Sequence, residues 1–141
     1  MEYKRFGNKY VVRLERGEEI VESIKSLAAK EEIHLGSVSG IGAVSKAKIG
    51  LFKIGEKEYF SKEFEGDMEV ISLVGNISEM DGEVYIHLHI GLCDDSYNMF
   101  GGHLNHAYIS ATGEIIIDVI EGRVDREFSH EIGINLLDLS K

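Results

Sequence analysis

Apolar and polar positions alternate from Val84 to Leu92, with Val84, Ile86, Leu88 and Ile90 on one side and Tyr85, His87, His89 and Gly91 on the other. A period of two is the pattern of a strand with one buried face. Apolar patterning and turn residues predict further strands over Tyr10–Leu14, His34–Ser39, Val44–Lys53, Lys57–Phe64, Met68–Glu79, His103–Ala111, Glu114–Glu121 and Ile134–Leu139. Two breaks read as hairpin turns. Ile54-Gly55-Glu56 carries glycine at its centre, and the Asp-Gly step of Met80-Asp81-Gly82 is a strong short-range hairpin signal. Ser39-Gly40-Ile41-Gly42-Ala43 reads as a tight turn or bulge, because the remaining glycine and the following helix of a dinucleotide fingerprint are missing. Ile115-Ile116-Ile117 is a continuous apolar run that predicts burial on both faces, and Asp125–Gly133 reads as polar and irregular.

One segment departs from the strand period. Ile20, Ile24, Leu27 and Ala28 recur at helical spacing behind Gly17-Glu18-Glu19, whose acids suit the positive end of a helix dipole. The helix is predicted to end near Lys30–Glu32. Together these elements predict an α+β fold: a mostly antiparallel sheet of about seven strands with one main helix packed on it. A chain of 141 residues, 43% hydrophobic, suffices for one core, so a single domain over residues 1–141 is expected.

Composition and charge add three expectations. No stretch approaches eighteen apolar residues and the N-terminus has no apolar signal region, so the chain reads as soluble, without a membrane partner, and cytoplasmic. The single Cys, Cys93, excludes an internal disulfide and fits a reducing compartment. The net charge of −10 is unevenly spread: twelve acids and no Lys or Arg lie between Glu63 and Gly122. That half attracts cations and repels polyanions, which favours a metal there and opposes direct phosphate binding.

The candidate chemistry sits in the same half. Val84–His106 holds four of the six histidines and the only cysteine. His87 and His89 share one face of their strand, and Gly101-Gly102 lets backbone approach closely and accepts positive φ, so a folded-back loop would bring His103 to them. Three neutral imidazoles with one position open form the ligand set of a catalytic or anion-accepting zinc site, whereas closed structural sites use four protein ligands. The residues alone leave a second reading open, in which His87 and His89 are half-buried polar groups on a wet sheet face. Cys93, at the strand end, reads as a small thiol or a fourth ligand. His106 would share a face with His103 only on a helix, and His34 and His130 have no histidine near them in sequence.

Arg13-Leu14-x-x-Gly17-Glu18, then Val38-Ser39-Gly40-Ile41-Gly42-Ala43-Val44, His87-Leu88-His89, Gly101-Gly102-His103-Leu104 and Thr112-Gly113-Glu114 follow one another over nearly the whole chain. In this order they resemble the plant-and-prokaryote-conserved (PPC) domain, free-standing prokaryotic type. The resemblance implies an α+β domain with a mostly antiparallel sheet, a homotrimer, and a bound metal that falls by position to His87, His89 and His103. It also implies a DNA-binding or regulatory role, since in plants the domain follows AT-hook segments of nuclear DNA-binding proteins. This chain has no Arg-Gly-Arg-Pro AT-hook and no proline at all.

Two functions of different class follow. One is a metal-binding module of this family, a trimer with weak DNA binding through the Lys/Arg-bearing strands before residue 63. The alternative is a metal-dependent enzyme or small-molecule binder, in which a divalent metal, zinc first among those that suit imidazole, polarises a carbonyl or acidifies bound water. Glu114 or Asp94 is then the candidate general base.

Overall fold

A computed structural model describes residues 1–141. Its strands are longer than the sequence pattern suggests: β1 Glu2–Phe6, β2 Lys9–Glu15, β3 Gly36–Lys53, β4 Glu58–Met80, β5 Glu83–Cys93, β6 Met99–Val119, β7 Asp125–Ser129 and β8 Ile134–Asp138. The single helix, α1, spans Ile20–Lys30. This is the expected α+β fold.

Three predicted breaks are continuous strand instead. The expected strands at 34–39 and 44–53 are one element, β3, and the glycine-rich step between them is a bulge with a register shift between Gly40 and Gly42. The expected pairs at 57–64 and 68–79, and at 103–111 and 114–121, likewise merge into β4 and β6. Gly113 does not turn the chain. It lies opposite Gly42, with β3 packed closely on β6. β1 was not expected, and Asp125–Ser129 is a strand rather than irregular. The Asp81-Gly82 turn is as predicted, with φ of 53° and 80° at its two central residues, the left-handed pair that a tight two-residue hairpin needs.

The six-stranded sheet runs β1-β2-β6-β3-β4-β5, all pairings antiparallel, and β5 pairs again with the start of β6. That last pairing brings the sheet round on itself at the end of β5. β7 and β8 form a separate hairpin.

Helix α1 explains which face of β5 and β6 is dry. Its N-cap is Glu19, whose carboxylate accepts from the backbone N–H of Val21 at 3.0 Å, Glu22 at 2.7 Å and Ala107 at 2.9 Å. The acid thus satisfies two helix donors and ties the helix start to β6. Ile20, Ile24, Leu27 and Ala28 are buried, and the helix packs on β5 and β6. Each of the three larger side chains contributes about 1.5–3 kcal/mol by leaving water. Leu88, Ile90 and Leu92 are buried on the same side in one core of 24 residues. Strand alternation then turns His87 and His89 to the opposite face.

Candidate metal centre

Register brings the three histidines together. His89 on β5 lies directly opposite His103 on β6, and His87 is two residues back on the same face of β5. His103 comes from within a strand rather than from a folded-back loop. The ring centroids stand 5.2 Å apart for His87 and His89, 5.2 Å for His87 and His103, and 5.7 Å for His89 and His103. One nitrogen from each ring lies within 4.8 Å of the others.

The glycine pair works by close approach alone. Neither Gly101 nor Gly102 has positive φ. A Cβ on Gly102 would meet the Gly50 carbonyl oxygen at 2.6 Å, and one on Gly101 would run into the Ile90 carbonyl. Absent side chains at both positions allow β5, β6 and β3 to sit close enough for His103 to reach its neighbours.

Protonation favours ligation. Burial, then the nearby charges of Arg126, His103 and His89, hold His87 down to about 4. Burial and then His89 also lower His103. At neutral pH both rings carry a free nitrogen lone pair, the form that binds a metal. The donor set therefore fits one divalent cation, held by three neutral imidazoles with room for a further ligand.

A cleft of about 700 Å³ lies over these rings. One wall is the β3–β4 hairpin, with Phe52 and Tyr59; the other is the β7–β8 hairpin, with Arg126, Phe128 and Asn135. Tyr59 meets His103 edge to face at 5.8 Å, and its hydroxyl donates to Asn105 Oδ1. Burial raises the Tyr59 hydroxyl above its ordinary value, against the pull of the Asn105 bond. The two walls touch at the far end, where Lys57 Nζ donates to the His130 carbonyl at 3.0 Å.

Arg126 is the residue that sequence reasoning missed. It lies outside the acidic segment and in a stretch read as irregular, yet the β7–β8 hairpin folds it over β4 and β5. Nε donates to Ser78 Oγ at 2.8 Å, Nη2 to Asn76 Oδ1 at 2.9 Å and Nη1 to the Asn135 carbonyl at 3.3 Å, and the guanidinium sits 4.5 Å over the Tyr85 ring. Burial lowers its pKa from the ordinary value. The signal available was one Arg between two short strands, with nothing to say where they pack.

The other candidates lie elsewhere. Asp94 caps the β5–β6 turn, its Oδ1 accepting from Ser96 N at 3.0 Å and Asn98 N at 2.9 Å. Glu114 faces Arg13 and Ile41 on neighbouring strands and lines a different, shallower hollow. Neither acid borders the histidine cleft, so neither is placed to act as its base. Cys93 is outside the histidine group, with its thiol toward the Asp94 carbonyl at 3.8 Å. His106 is 3.4 Å from Glu63. His34 donates from Nδ1 to Glu79 at 2.7 Å while its Nε2 accepts from Arg123 at 2.9 Å, and His130 meets Phe128 edge to face.

The profile of the Plants and Prokaryotes Conserved (PCC) domain matches residues 1–121. Among solved structures, one from Bacteroides thetaiotaomicron called a "putative DNA binding protein" is 34% identical, with TM-score 0.97, over 99% of this chain and 98% of that one. A metal-containing protein from Archaeoglobus fulgidus is 32% identical, with TM-score 0.86, over 96% of each chain. A plant- and prokaryote-conserved protein from Pyrococcus horikoshii is 31% identical, with TM-score 0.86, over 99% of this chain and 95% of that one. No protein of curated function matches the chain.

Proposed function

The chain belongs to the Plants and Prokaryotes Conserved domain family, and we propose that it holds one divalent metal, zinc by the chemistry of its donors, on His87, His89 and His103 as the floor of a small-molecule site. The observation that carries this reading is the convergence of three ring nitrogens within 4.8 Å beneath a cleft of about 700 Å³. A structural zinc site uses four protein ligands and is closed, whereas this donor set offers three and opens on a cleft. A metal here supplies Lewis acidity to a bound oxygen. The chain's own residues supply the rest: Tyr59 packs against His103, while Phe52 and Phe128 flank the cleft with apolar surface. The metal-containing relative from Archaeoglobus supports the reading. Elemental analysis of protein purified without chelator or affinity resin tests it. About one metal per chain is expected in the wild type and almost none in a folded His87→Ala/His89→Ala variant. Full occupancy in that variant would end the assignment.

Assembly as a homotrimer belongs to the same proposal. Val11, Ile116 and Val74 are exposed by 46%, 40% and 50%. Val11 faces Ile116 across β2 and β6, and Ser39 bridges from Ile116 to Val74. An apolar band thus crosses four strands on the face away from the helix, the kind of surface a subunit covers. The expected burial of Ile116 on both faces is therefore not met within one chain.

A second reading, DNA binding, draws on the name of the Bacteroides relative. Here four of the basic side chains are already paired with acids. Lys46 pairs with Glu63 at 2.9 Å, Lys53 with Glu56 at 3.6 Å, Arg13 with Glu2 at 2.9 Å, and Lys9 with Asp118. Any DNA contact is expected to be weak and non-specific.

A further inference from the structure

The cleft over the histidines contains a fixed positive charge and no negative one. Arg126 is only 8% exposed, and its three hydrogen bonds all go to neutral acceptors: a hydroxyl, an amide oxygen and a backbone carbonyl. No Asp or Glu lines the cleft. A buried cation without an anionic partner is costly, and proteins ordinarily pair such a charge. Three of the guanidinium's five N–H groups are used, which leaves two.

Position makes this charge part of the site. Asn76, which takes Nη2, is the direct register partner of His87. A divalent cation on three neutral imidazoles, next to Arg126, would leave the cleft strongly positive with nothing in the chain to balance it.

We propose that the cleft takes a small organic carboxylate whose anionic end pairs with the free N–H groups of Arg126 and whose body lies against Phe52, Tyr59 and Phe128. The planar guanidinium fork matches a carboxylate. Aromatic walls and a volume of about 700 Å³ suit an organic acid better than an inorganic phosphate, which has no apolar body to lie against them. The charge total rests on the metal reading; the unpaired state of Arg126 does not.

The test is calorimetric titration of the intact protein, metal-loaded and chelator-stripped, with benzoate, its neutral analogue benzamide, and inorganic phosphate. The wild type is expected to bind benzoate at least about tenfold more tightly than benzamide in both forms, the difference made by a charge-assisted hydrogen bond. Phosphate should bind more weakly than benzoate. Arg126→Gln, checked for folding by circular dichroism, should lose the preference for benzoate, and Arg126→Lys should keep part of it, because the charge remains without the fork. Equal affinity for benzoate and benzamide, no benzoate binding, phosphate as tight as benzoate, or an unchanged preference in folded Arg126→Gln would each overturn the proposal. If Arg126→Gln does not fold, the three ligands on the wild type decide it. Failure of the metal reading shows separately, as absent metal in the wild type, and the stripped form then decides the carboxylate on its own.

Discussion

Arg126 reaches from β7 to Asn76 on β4, with 2.9 Å between Nη2 and Oδ1. Since Asn76 sits directly opposite His87, this one bond fastens the outer wall of the cleft to the strand beside the histidines. The hairpin pairs with no strand of the main sheet. Side-chain bonds therefore carry much of its attachment.

Replacing Asn76 by Leu keeps the volume and removes the acceptor. Loss of a hydrogen bond to a charged group costs about 1.5–3 kcal/mol. The urea midpoint should fall accordingly, with an unchanged m-value and metal content, because Asn76 is not among the proposed ligands. A shift below about 0.5 kcal/mol would show that Ser78 and Tyr85 suffice to hold Arg126.

Metal should stabilise the folded wild type and do nothing for a chain without the site. At a free zinc concentration 100 times the dissociation constant, linkage gives about 2.7 kcal/mol. Thermal unfolding of chelator-treated protein, with and without added zinc, should show a clear rise in Tm for the wild type and none for His103→Ala. An equal rise in both would move the metal away from these histidines.

Gly102→Ala should damage the site without touching a proposed ligand. Its Cβ would meet the Gly50 carbonyl oxygen at 2.6 Å, and backbone cannot swing aside as a side chain can. β6 must shift from β3 and carry His103 with it, so metal affinity should drop at least tenfold, with about 1–3 kcal/mol lost from stability. Gly55→Ala, with nothing near its Cβ, is the control and should stay within about 0.5 kcal/mol of wild type. Unchanged zinc affinity in Gly102→Ala would refute the close-approach account.

How much of this was legible beforehand follows from what each signal depends on. The pairing of His87 with His89, the Asp81-Gly82 hairpin and helix α1 rest on local periodicity and turn chemistry, and all three appear in the structure. At Gly40–Gly42 the bulge alternative is the one the structure shows, within a continuous strand, and the predicted break at Thr112–Gly113 is absent, because glycine marks both chain reversal and close strand packing and one sequence does not separate the two. The placement of Arg126 depends on how a two-stranded hairpin docks, which is long-range packing with no local signature. The same reason removed Glu114 from the site: it follows a loop-like Thr-Gly step, yet continuous strand carries it to another part of the sheet.

The resemblance to the family implies a trimer, and the apolar band through Val11, Ile116 and Val74 supplies a surface for it, so light scattering should give about three times 15.7 kDa. Ile116→Asp places a charge in the middle of that band and should shift the mass toward one chain, with a fall in Tm if the folded monomer is only marginally stable. A monomeric wild type at micromolar concentration would remove the proposal. A trimeric Ile116→Asp would place the interface elsewhere.

DNA binding, if it occurs, should follow the Lys-bearing strands and be strongly salt-dependent. Lys46, Lys48 and Lys53 lie on β3, and two of them are already paired with glutamates, so a phosphate must displace Glu63 from Lys46 and Glu56 from Lys53 before it gains a contact. Each phosphate contact that survives contributes about 0.9 to the slope of log affinity against log salt. Lys46→Glu/Lys48→Glu/Lys53→Glu should abolish low-salt binding to duplex DNA and flatten that slope, while His87→Ala should leave both unchanged, since it removes none of the lysine charges that a phosphate would meet. Binding retained by the charge variant and lost by His87→Ala would reverse the electrostatic map and make the histidine face the contact surface. If the wild type fails to bind at physiological salt, the name carried by the Bacteroides relative does not transfer to this chain, and the metal cleft is left as its working site.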